Sequence, residues 1–285
     1  MNNINGINNI GNTCYMNAGL QLIFNCTILT KFFLNNNFKS NILNSYKYLL
    51  YQYDENRLDP NIIKNIIGKK NKNFNNNDQN DSHEFLITLI DLLDEELKKE
   101  FKNTNKKILN IKYKNLLDIL FNNRIISNIE SIKTDESSKN TSYERIISLS
   151  LKDNIYESIA DFQKSELLKN QWFSENEKKK IDINKYLNIN KYSKYLIFHL
   201  KRLINTNLKS NKNVQFYKII EFESTKYDLR SIVIHIGSGN GGHYVAVIKR
   251  NDKWYLCDDN VISNVNVDNY LNNGYIYLYS KLRLK

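Results

Sequence analysis

The chain has 285 residues, of which 41% are hydrophobic, so it can build a sizeable core and we expect one domain. It shows no apolar run of about 18 residues to cross a membrane, no signal peptide and only three cysteines, so we expect a monomer of the reducing cytoplasm or nucleus without membrane contacts. The net charge is +11, but the lysines are spread along the whole chain, and we expect no specific nucleic-acid site.

A single cysteine marks the boundary between a polar loop and an apolar segment within residues 6–24. Asn12 and Thr13 are good N-cap residues, so we predict that Cys14 lies in the first turn of a buried helix. A helix N-terminus stabilises a thiolate relative to a thiol, which suits a nucleophile. The amide of Asn9 would donate to an oxyanion beside the backbone N–H of Cys14. The alternative is a buried structural cysteine.

A second segment, residues 78–97, combines an acidic start with a broad apolar face. Its cap-type residues and helical spacing predict a helix of about five turns. Asp81 and Glu84 at the start either complement the helix dipole or present carboxylates to a ligand. His83 has no second ligand at metal spacing, so we expect no metal and no cofactor.

The middle of the chain alternates between strand-like and helical pieces. Residues 144–151 read as a strand, 155–162 as a short helix and 190–203 as a buried strand. The buried strand contains His199, which we interpret as a core residue rather than a base, because histidines inside apolar strands are usually satisfied core residues.

The last segment with candidate catalytic residues is a predicted hairpin, whose two strands are joined by a turn at residues 251–252. A two-residue turn makes His243 and Asp258 diagonal neighbours on one face, within reach of a side-chain hydrogen bond. Tyr244 and Asp259 then share the other face. A three-residue loop would exchange the two acids, and we favour Asp258 as the partner of the histidine.

Several runs, in this order, resemble the motifs of the ubiquitin-specific protease family, and the resemblance covers nearly the whole chain. The runs are GINNIGNTCYMN from residue 6, QNDSHEFL from 79, LIFHLKRL from 196, GGHY from 241 and WYLCDDNV from 254. Asn80 stands where the family usually has glutamine, Ser82 where it has alanine, and Cys257 where phenylalanine is common. These departures keep every residue to which we assign chemistry.

The resemblance implies an α+β, papain-like fold in which a helical thumb packs on a mostly antiparallel β palm. We expect a single catalytic domain over residues 1–285, with the thumb in 1–125, reduced fingers in 126–190 and the palm in 191–285. Many family members hold the fingers with a zinc ribbon of two cysteine pairs. Here those positions fall on Ser131, Thr134, Ser174 and Glu177, so we expect short, zinc-free fingers.

The resemblance also implies an activity, namely thiol-dependent hydrolysis of the isopeptide or peptide bond after the C-terminal glycine of ubiquitin. Cys14 is the expected nucleophile, His243 the base, Asp258 its orienting acid and Asn9 the oxyanion donor. The expected partners are ubiquitin and ubiquitinated proteins. The residues expected to bind the ubiquitin tail are Gln79, Asp81, Glu84, Gly241, Gly242, Tyr244 and Asp259.

Three other functions stay open on the sequence. The same fold can serve as a non-catalytic ubiquitin-binding module, or as a protease for a ubiquitin-like modifier. A basic chain can also bind nucleic acid, in which case binding would weaken steeply with salt and would need no catalytic residue.

Overall fold

The computed structural model of the protein describes residues 4–56, 58–108, 111–204, 208–239 and 241–282. The first part of the chain is mainly helical, and the rest is mainly β-structure. The helices are α1 (Cys14–Phe24), α2 (Thr27–Leu34), α3 (Asn41–Asp54), α4 (Pro60–Lys70), α5 (Ser82–Glu100), α6 (Leu116–Phe121) and α7 (Ile155–Phe162).

The strands form a two-stranded, a four-stranded and an eight-stranded sheet. In chain order they are β1 (Lys107–Ile108), β2 (Ile111–Lys112), β3 (Asn123–Ser131), β4 (Ser137–Glu144), β5 (Ile147–Leu149), β6 (Glu166–Ser174), β7 (Lys179–Lys191), β8 (Tyr195–Leu200), β9 (Ile219–Phe222), β10 (Thr225–Ser238), β11 (Gly241–Arg250), β12 (Lys253–Asp258), β13 (Val261–Asn264) and β14 (Ile276–Lys281).

The eight-stranded sheet corresponds to the predicted palm. Its order is β13-β12-β11-β10-β14-β8-β5, with β9 paired to β10, and its pairings are antiparallel except β5 with β8. Alternate residues of β11 enter two separate cores: Ala246 and Ile248 pack with the thumb helices, while Val245 and Val247 pack on the opposite face. The sheet is thus covered on both faces, and the predicted α+β class is confirmed.

Helix α1 is buried along its whole length between the palm and α5. Thr13 occupies its N-cap position, but the predicted side-chain cap is absent. The Thr13 hydroxyl instead accepts the N–H of Ile10 and donates to the side-chain oxygen of Asn9. The hydroxyl therefore holds the loop before the helix rather than the helix itself.

Helix α5 confirms the second predicted segment and runs for 19 residues. The carboxylate of Asp81 caps it by accepting the N–H groups of His83 and Glu84. Its apolar face, which includes Phe85, packs against α1. No described helix is long and apolar enough to span a membrane.

The four-stranded sheet, β4-β3-β7-β6, corresponds to the fingers. Its strands are 8 to 13 residues long and are paired antiparallel throughout. Strand β5 lies inside the range 126–190 expected for the fingers, but it pairs with β8 of the palm. Long ladders of backbone hydrogen bonds make this length possible without a metal.

A carboxylate joins the two hairpin ends of the fingers at the positions where a zinc ribbon would lie. Glu136 accepts hydrogen bonds from the hydroxyls of Thr134 and Ser174 and from the backbone N–H groups of Glu175 and Asn176. Ser131 in turn accepts the N–H groups of residues 133 and 134. Hydrogen bonding to its charged form holds the pKa of Glu136 below its usual range.

Candidate active site

The β11–β12 hairpin has the register that the sequence predicts. Asn251 and Asp252 form its two-residue turn with φ of 48° and 58°, as a type I′ turn requires. The Nε2–H of His243 donates to Oδ1 of Asp258 over 2.6 Å. The proposed histidine–acid pair is therefore Asp258 with His243, and the second ring nitrogen, Nδ1, is the one left to exchange a proton.

Cys14 begins α1 and is only 3% exposed. Hydrogen bonding from the backbone of Tyr244, the residue after His243, acts to lower the pKa of the thiol, and α1 packs directly against the base-bearing strand β11. Burial nevertheless raises the pKa of the thiol, and the nearby Asp259 carboxylate acts in the same direction. The expected thiolate stabilisation at the helix N-terminus is thus outweighed, and Cys14 needs a base to remove its proton.

Asp259 organises the loop before Cys14. Its two carboxylate oxygens accept the side-chain amides of Asn9, over 2.9 Å, and of Asn17, over 2.7 Å. The oxygen of the Asn9 side chain accepts the N–H groups of Gly11 and Thr13. Asn9 is therefore fixed at both ends of its amide, with one N–H held by Asp259 and the other left for a ligand.

Two residues of this arrangement were missed by sequence reasoning. Asn17 is 2% exposed and lies one turn after Cys14, where a buried polar side chain demands a partner. Tyr275 precedes β14, and its hydroxyl donates to Asp81. The signal for Asn17 was present in the motif, whereas that for Tyr275 depends on a contact between residues 194 positions apart.

The two carboxylates at the start of α5 have different surroundings. One oxygen of Asp81 caps the helix, and the other accepts the hydroxyls of Tyr275 and of Tyr244, the latter over 3.3 Å. Asp81 and the buried Tyr244 thus join thumb to palm. Glu84 is exposed, and burial followed by repulsion from Asp81 raises its pKa. Among the predicted tail-binding acids, Glu84 is the one open to a cationic partner.

Gln79 reaches across the cleft to the strand that carries the histidine. Its side-chain oxygen accepts the N–H of Gly242, and its amide donates to the carbonyl of Gly242, both over 2.9 Å. These are the hydrogen bonds that a neighbouring extended backbone would make. The cleft beneath, of about 280 Å³, is lined by Gln79, Asn80, Asp81, Glu84, Leu203, His235, Gly239, Gly241 and Tyr244.

The two glycines before His243 differ in the space around them. A β-carbon on Gly242 would lie less than 3.0 Å from the carbonyl oxygen of Ile236 and from the ring of His235. A β-carbon on Gly241 would meet only the side-chain oxygen of Gln79, at 3.5 Å. Close packing therefore requires glycine at position 242 but not at 241.

The other histidines do not join the site chemistry. His83 and His199 stack with ring centroids 3.9 Å apart, and Ser148 bonds to Nδ1 of His199 over 2.9 Å. Burial lowers the pKa values of His83 and His199, and that of His235 to about 4. All three are neutral near pH 7, and the interpretation of His199 as a core residue agrees with its 8% exposure.

Ligand atoms of His243, Asp258 and Asp259 lie within 4.8 Å of one another, the one such metal-compatible group in the described ranges. All three side chains already have partners: His243 bonds to Asp258, and both oxygens of Asp259 accept asparagine amides. This geometry suits proton transfer and loop positioning, and we assign no metal to it.

Comparisons with known proteins agree with the fold and the motifs. The family profile described as "Ubiquitin carboxyl-terminal hydrolase" matches residues 5–279. The chain is 25% identical over 304 aligned positions to "Ubiquitin carboxyl-terminal hydrolase 12" of Salmo salar, covering 91% of this chain and 81% of that protein.

The structure also resembles one chain in each of two solved structures of the SAGA DUB module Ubp8/Sgf11/Sus1/Sgf73. The complex bound to monoubiquitin matches with a TM-score of 0.82 and 22% identity, over 99% of this chain and 70% of the other. The complex bound to ubiquitin aldehyde matches with a TM-score of 0.81 and 23% identity over the same shares. Since the family profile spans residues 5–279, the chain belongs to the ubiquitin carboxyl-terminal hydrolase family.

Proposed function

We propose that this family member is a cysteine deubiquitinase in which Cys14, His243 and Asp258 cleave the bond after the C-terminal glycine of ubiquitin. The observation that carries the proposal is the convergence of three distant segments. Helix α1, which begins at Cys14, packs against β11, which carries His243, and His243 donates to Asp258 over 2.6 Å. Nucleophile, base and orienting acid are the groups that acyl transfer requires.

In the first half of the reaction, Nδ1 of His243 takes the proton of the Cys14 thiol, and the sulfur attacks the carbonyl carbon of the terminal glycine. Asp258 holds the ring through Nε2 and stabilises the imidazolium that forms. The tetrahedral intermediate then expels the lysine amine, which takes the proton from His243, and a thioester on Cys14 remains.

In the second half, His243 removes a proton from water as the water oxygen attacks the thioester. The sulfur leaves, regains its proton, and ubiquitin departs with a free carboxylate. The raised pKa of Cys14 fits this sequence, because a protonated resting thiol makes the base essential.

The oxyanion of both tetrahedral intermediates needs fixed donors. The free N–H of the Asn9 amide and the backbone N–H of Cys14 are our candidates, and the Asp259 contact keeps the Asn9 amide from rotating. This assigns Asp259 a positioning role rather than the tail-binding role expected from the sequence. Losing such a donor typically costs on the order of 10²–10³ in rate.

The substrate end of the site is acidic and narrow. Glu84 offers an exposed carboxylate for a cationic tail, while Gly241 places no side chain in the space beside Gln79 that a tail would enter. Gln79 bonds to Gly242 across the cleft, so a tail that enters must replace that contact with its own backbone groups. Ubiquitin is bound in both structural relatives, which supports it as the partner.

The proposal is tested with a fluorogenic amide of the ubiquitin C-terminus. Wild-type protein should release the fluorophore, and Cys14→Ala should abolish release while still binding ubiquitin. A Cys26→Ala variant is the matched control, because Cys26 is also buried but lies outside the site. Full activity in Cys14→Ala would refute the assignment, and binding without turnover by wild type would favour a non-catalytic module.

Parallel reporters made with ubiquitin-like modifiers separate a ubiquitin enzyme from a protease for such a modifier. We also propose that the protein acts as a monomer in the cytoplasm or nucleus; the three buried cysteines without a disulfide support the reducing compartment. Sedimentation and cell fractionation test these two points, and a stable dimer or a secreted pool would contradict them.

A further inference from the structure

A second cleft, in the described part of the chain, lies away from the active site and has the opposite charge. It measures about 770 Å³ and is lined by Lys98, Asp118, Ile119, Asn122, Arg124, Tyr143, Lys191, Tyr192, Ser193, Lys194 and Lys281. These residues come from the thumb, the fingers and the palm, so the cleft lies where the three parts meet.

Cations outnumber carboxylates in this cleft. Its single carboxylate, Asp118, is already paired with Lys98 over 3.0 Å and with Arg145. Within the described ranges, no ion pair neutralises Arg124, Lys191 or Lys281, and all three are exposed. Counted over the described residues that line it, the cleft therefore has a net positive charge.

Two of these cations are brought side by side by an irregularity in the sheet. Strands β3 and β7 pair Ile125 with Ile189 but Arg124 with Lys191, so Asn190 is an extra residue in β7. Such bulges re-aim side chains, and they are frequent next to binding sites. Like charges directly opposite each other destabilise a sheet, and an anionic ligand between them would relieve that cost.

The cleft also has an apolar side. Tyr143 lies opposite Arg124 on β4 and is 61% exposed, and Ile119 of α6 is 46% exposed. An exposed tyrosine and isoleucine beside unpaired cations match a ligand that carries both carboxylates and an apolar side chain. A volume of about 770 Å³ is within the range of sites that enclose a short segment of a ligand.

The cleft is distant from the proposed tail-binding site that is lined by Gln79, Asp81, Glu84 and Gly241, which we call the ubiquitin channel. Tyr195 begins β8 beside the cleft, and His199 lies four residues further along the strand, about 13 Å away at about 3.3 Å per residue. His199 stacks on His83, which lies next to Glu84 at the proposed ubiquitin site. The channel presents Glu84 and the cleft presents cations, so one basic tail does not suit both.

We propose that this cleft is the docking site for an acidic linear segment of a partner protein, in which glutamates or aspartates flank an apolar residue. The planar guanidinium of Arg124 binds a carboxylate through two hydrogen bonds, and Lys191 and Lys281 add positive charge. Tyr143 and Ile119 contact the apolar side chain of the segment. Because the site joins fingers, thumb and palm, its occupant would stabilise their relative arrangement. The inference is independent of the proposed catalysis.

Fluorescence anisotropy of the full chain with a labelled peptide of glutamates around one leucine tests this docking site directly. The double variant Arg124→Glu/Lys191→Glu should weaken binding by about 10-fold or more. Lys169→Glu/Lys180→Glu is the matched control, since both lysines are exposed on β6 and β7 of the same sheet and the change in charge is identical. Circular dichroism verifies folding, and Arg124→Gln provides a milder variant.

The outcomes separate the possibilities. Weaker binding in the cleft variants only, with further loss when the leucine of the peptide is replaced by serine, supports the proposal. Absence of peptide binding, or equal loss in the control variant, overturns it. Tighter binding of a single-stranded oligonucleotide that depends on the same residues also overturns it, in favour of a nucleic-acid site.

Discussion

Gly242 lies next to the proposed base, and the structure leaves no room there for a β-carbon. The β-carbon of an alanine would come closer than 3.0 Å to the carbonyl oxygen of Ile236, which is fixed in β10. Ordinary contact begins at 3.4 Å, so Gly242→Ala forces the backbone of β11 to move by about half an ångström or more. The displacement is transmitted to His243, the next residue.

The magnitude follows from the sensitivity of catalysis to geometry. A misplacement of about 1 Å typically costs about 10²-fold in rate, so half an ångström corresponds to about 10-fold and a full ångström to about 100-fold. We therefore expect Gly242→Ala to lower kcat/KM by between about 10- and 100-fold. The accompanying overpacking should cost about 1–3 kcal/mol of stability.

The assay is steady-state hydrolysis of the fluorogenic ubiquitin amide, with thermal unfolding to show that each variant is folded. Gly241→Ala is the control, because its β-carbon meets only the Gln79 side chain at 3.5 Å. Its kcat/KM should stay within about threefold of wild type. Wild-type activity in Gly242→Ala, or an equal loss in Gly241→Ala, would refute the steric reasoning.

Three further predictions test other contacts. Asp259→Ala should lower kcat by about 10-fold or more with little change in KM, because Asn9 loses the partner that fixes its amide; steady-state kinetics measures the split. Glu136→Gln should speed amide hydrogen exchange at the hairpin ends of the fingers, whereas Glu175→Gln, also on a fingertip, should not. Burial holds the pKa of His235 at about 4 against 6.5 for its free form, so the unfolded state binds more protons between these values. The free energy of unfolding should therefore fall as the pH drops from 6.5 toward 4, and His235→Gln should flatten that fall, as measured by urea titrations at several pH values.

Each of these three has an outcome that contradicts it. An increase in KM alone for Asp259→Ala would restore the tail-binding role expected from the sequence. Unchanged exchange in Glu136→Gln would mean that the strand ladders alone hold the fingertips. If the free energy of unfolding falls as steeply with decreasing pH in His235→Gln as in wild type, the proton uptake belongs to other groups. His83 and His199 are such groups, because their pKa values are also lowered.

The parts of the site that depend on local pattern could be predicted from the sequence. The two-residue turn at 251–252 fixes the pairing of β11 with β12, and the pairing fixes which acid meets His243. Helix α5 follows from its cap and its apolar face. In these cases the deciding contacts lie within about 20 residues along the chain.

The features that depend on distant contacts could not be predicted. Burial beneath the palm raises the pKa of Cys14, and this effect is larger than the lowering of the pKa that we expected from the helix N-terminus. The carboxylate of Asp259 contacts Asn9, 250 positions earlier, and Asp259 adopts a φ of 48° that residue type alone does not reveal. The long fingers depend on strand pairing and on Glu136, and the loss of the cysteine pairs gave no hint of either.

Covalent capture tests the central claim most directly. The full chain is incubated with a ubiquitin probe that carries a thiol-reactive group in place of its C-terminal carboxylate, and the adduct is located by mass spectrometry. We predict one adduct per chain, on Cys14, formed by wild type and by Cys26→Ala but not by Cys14→Ala. An adduct on another residue, or none with folded wild-type protein, would contradict the account.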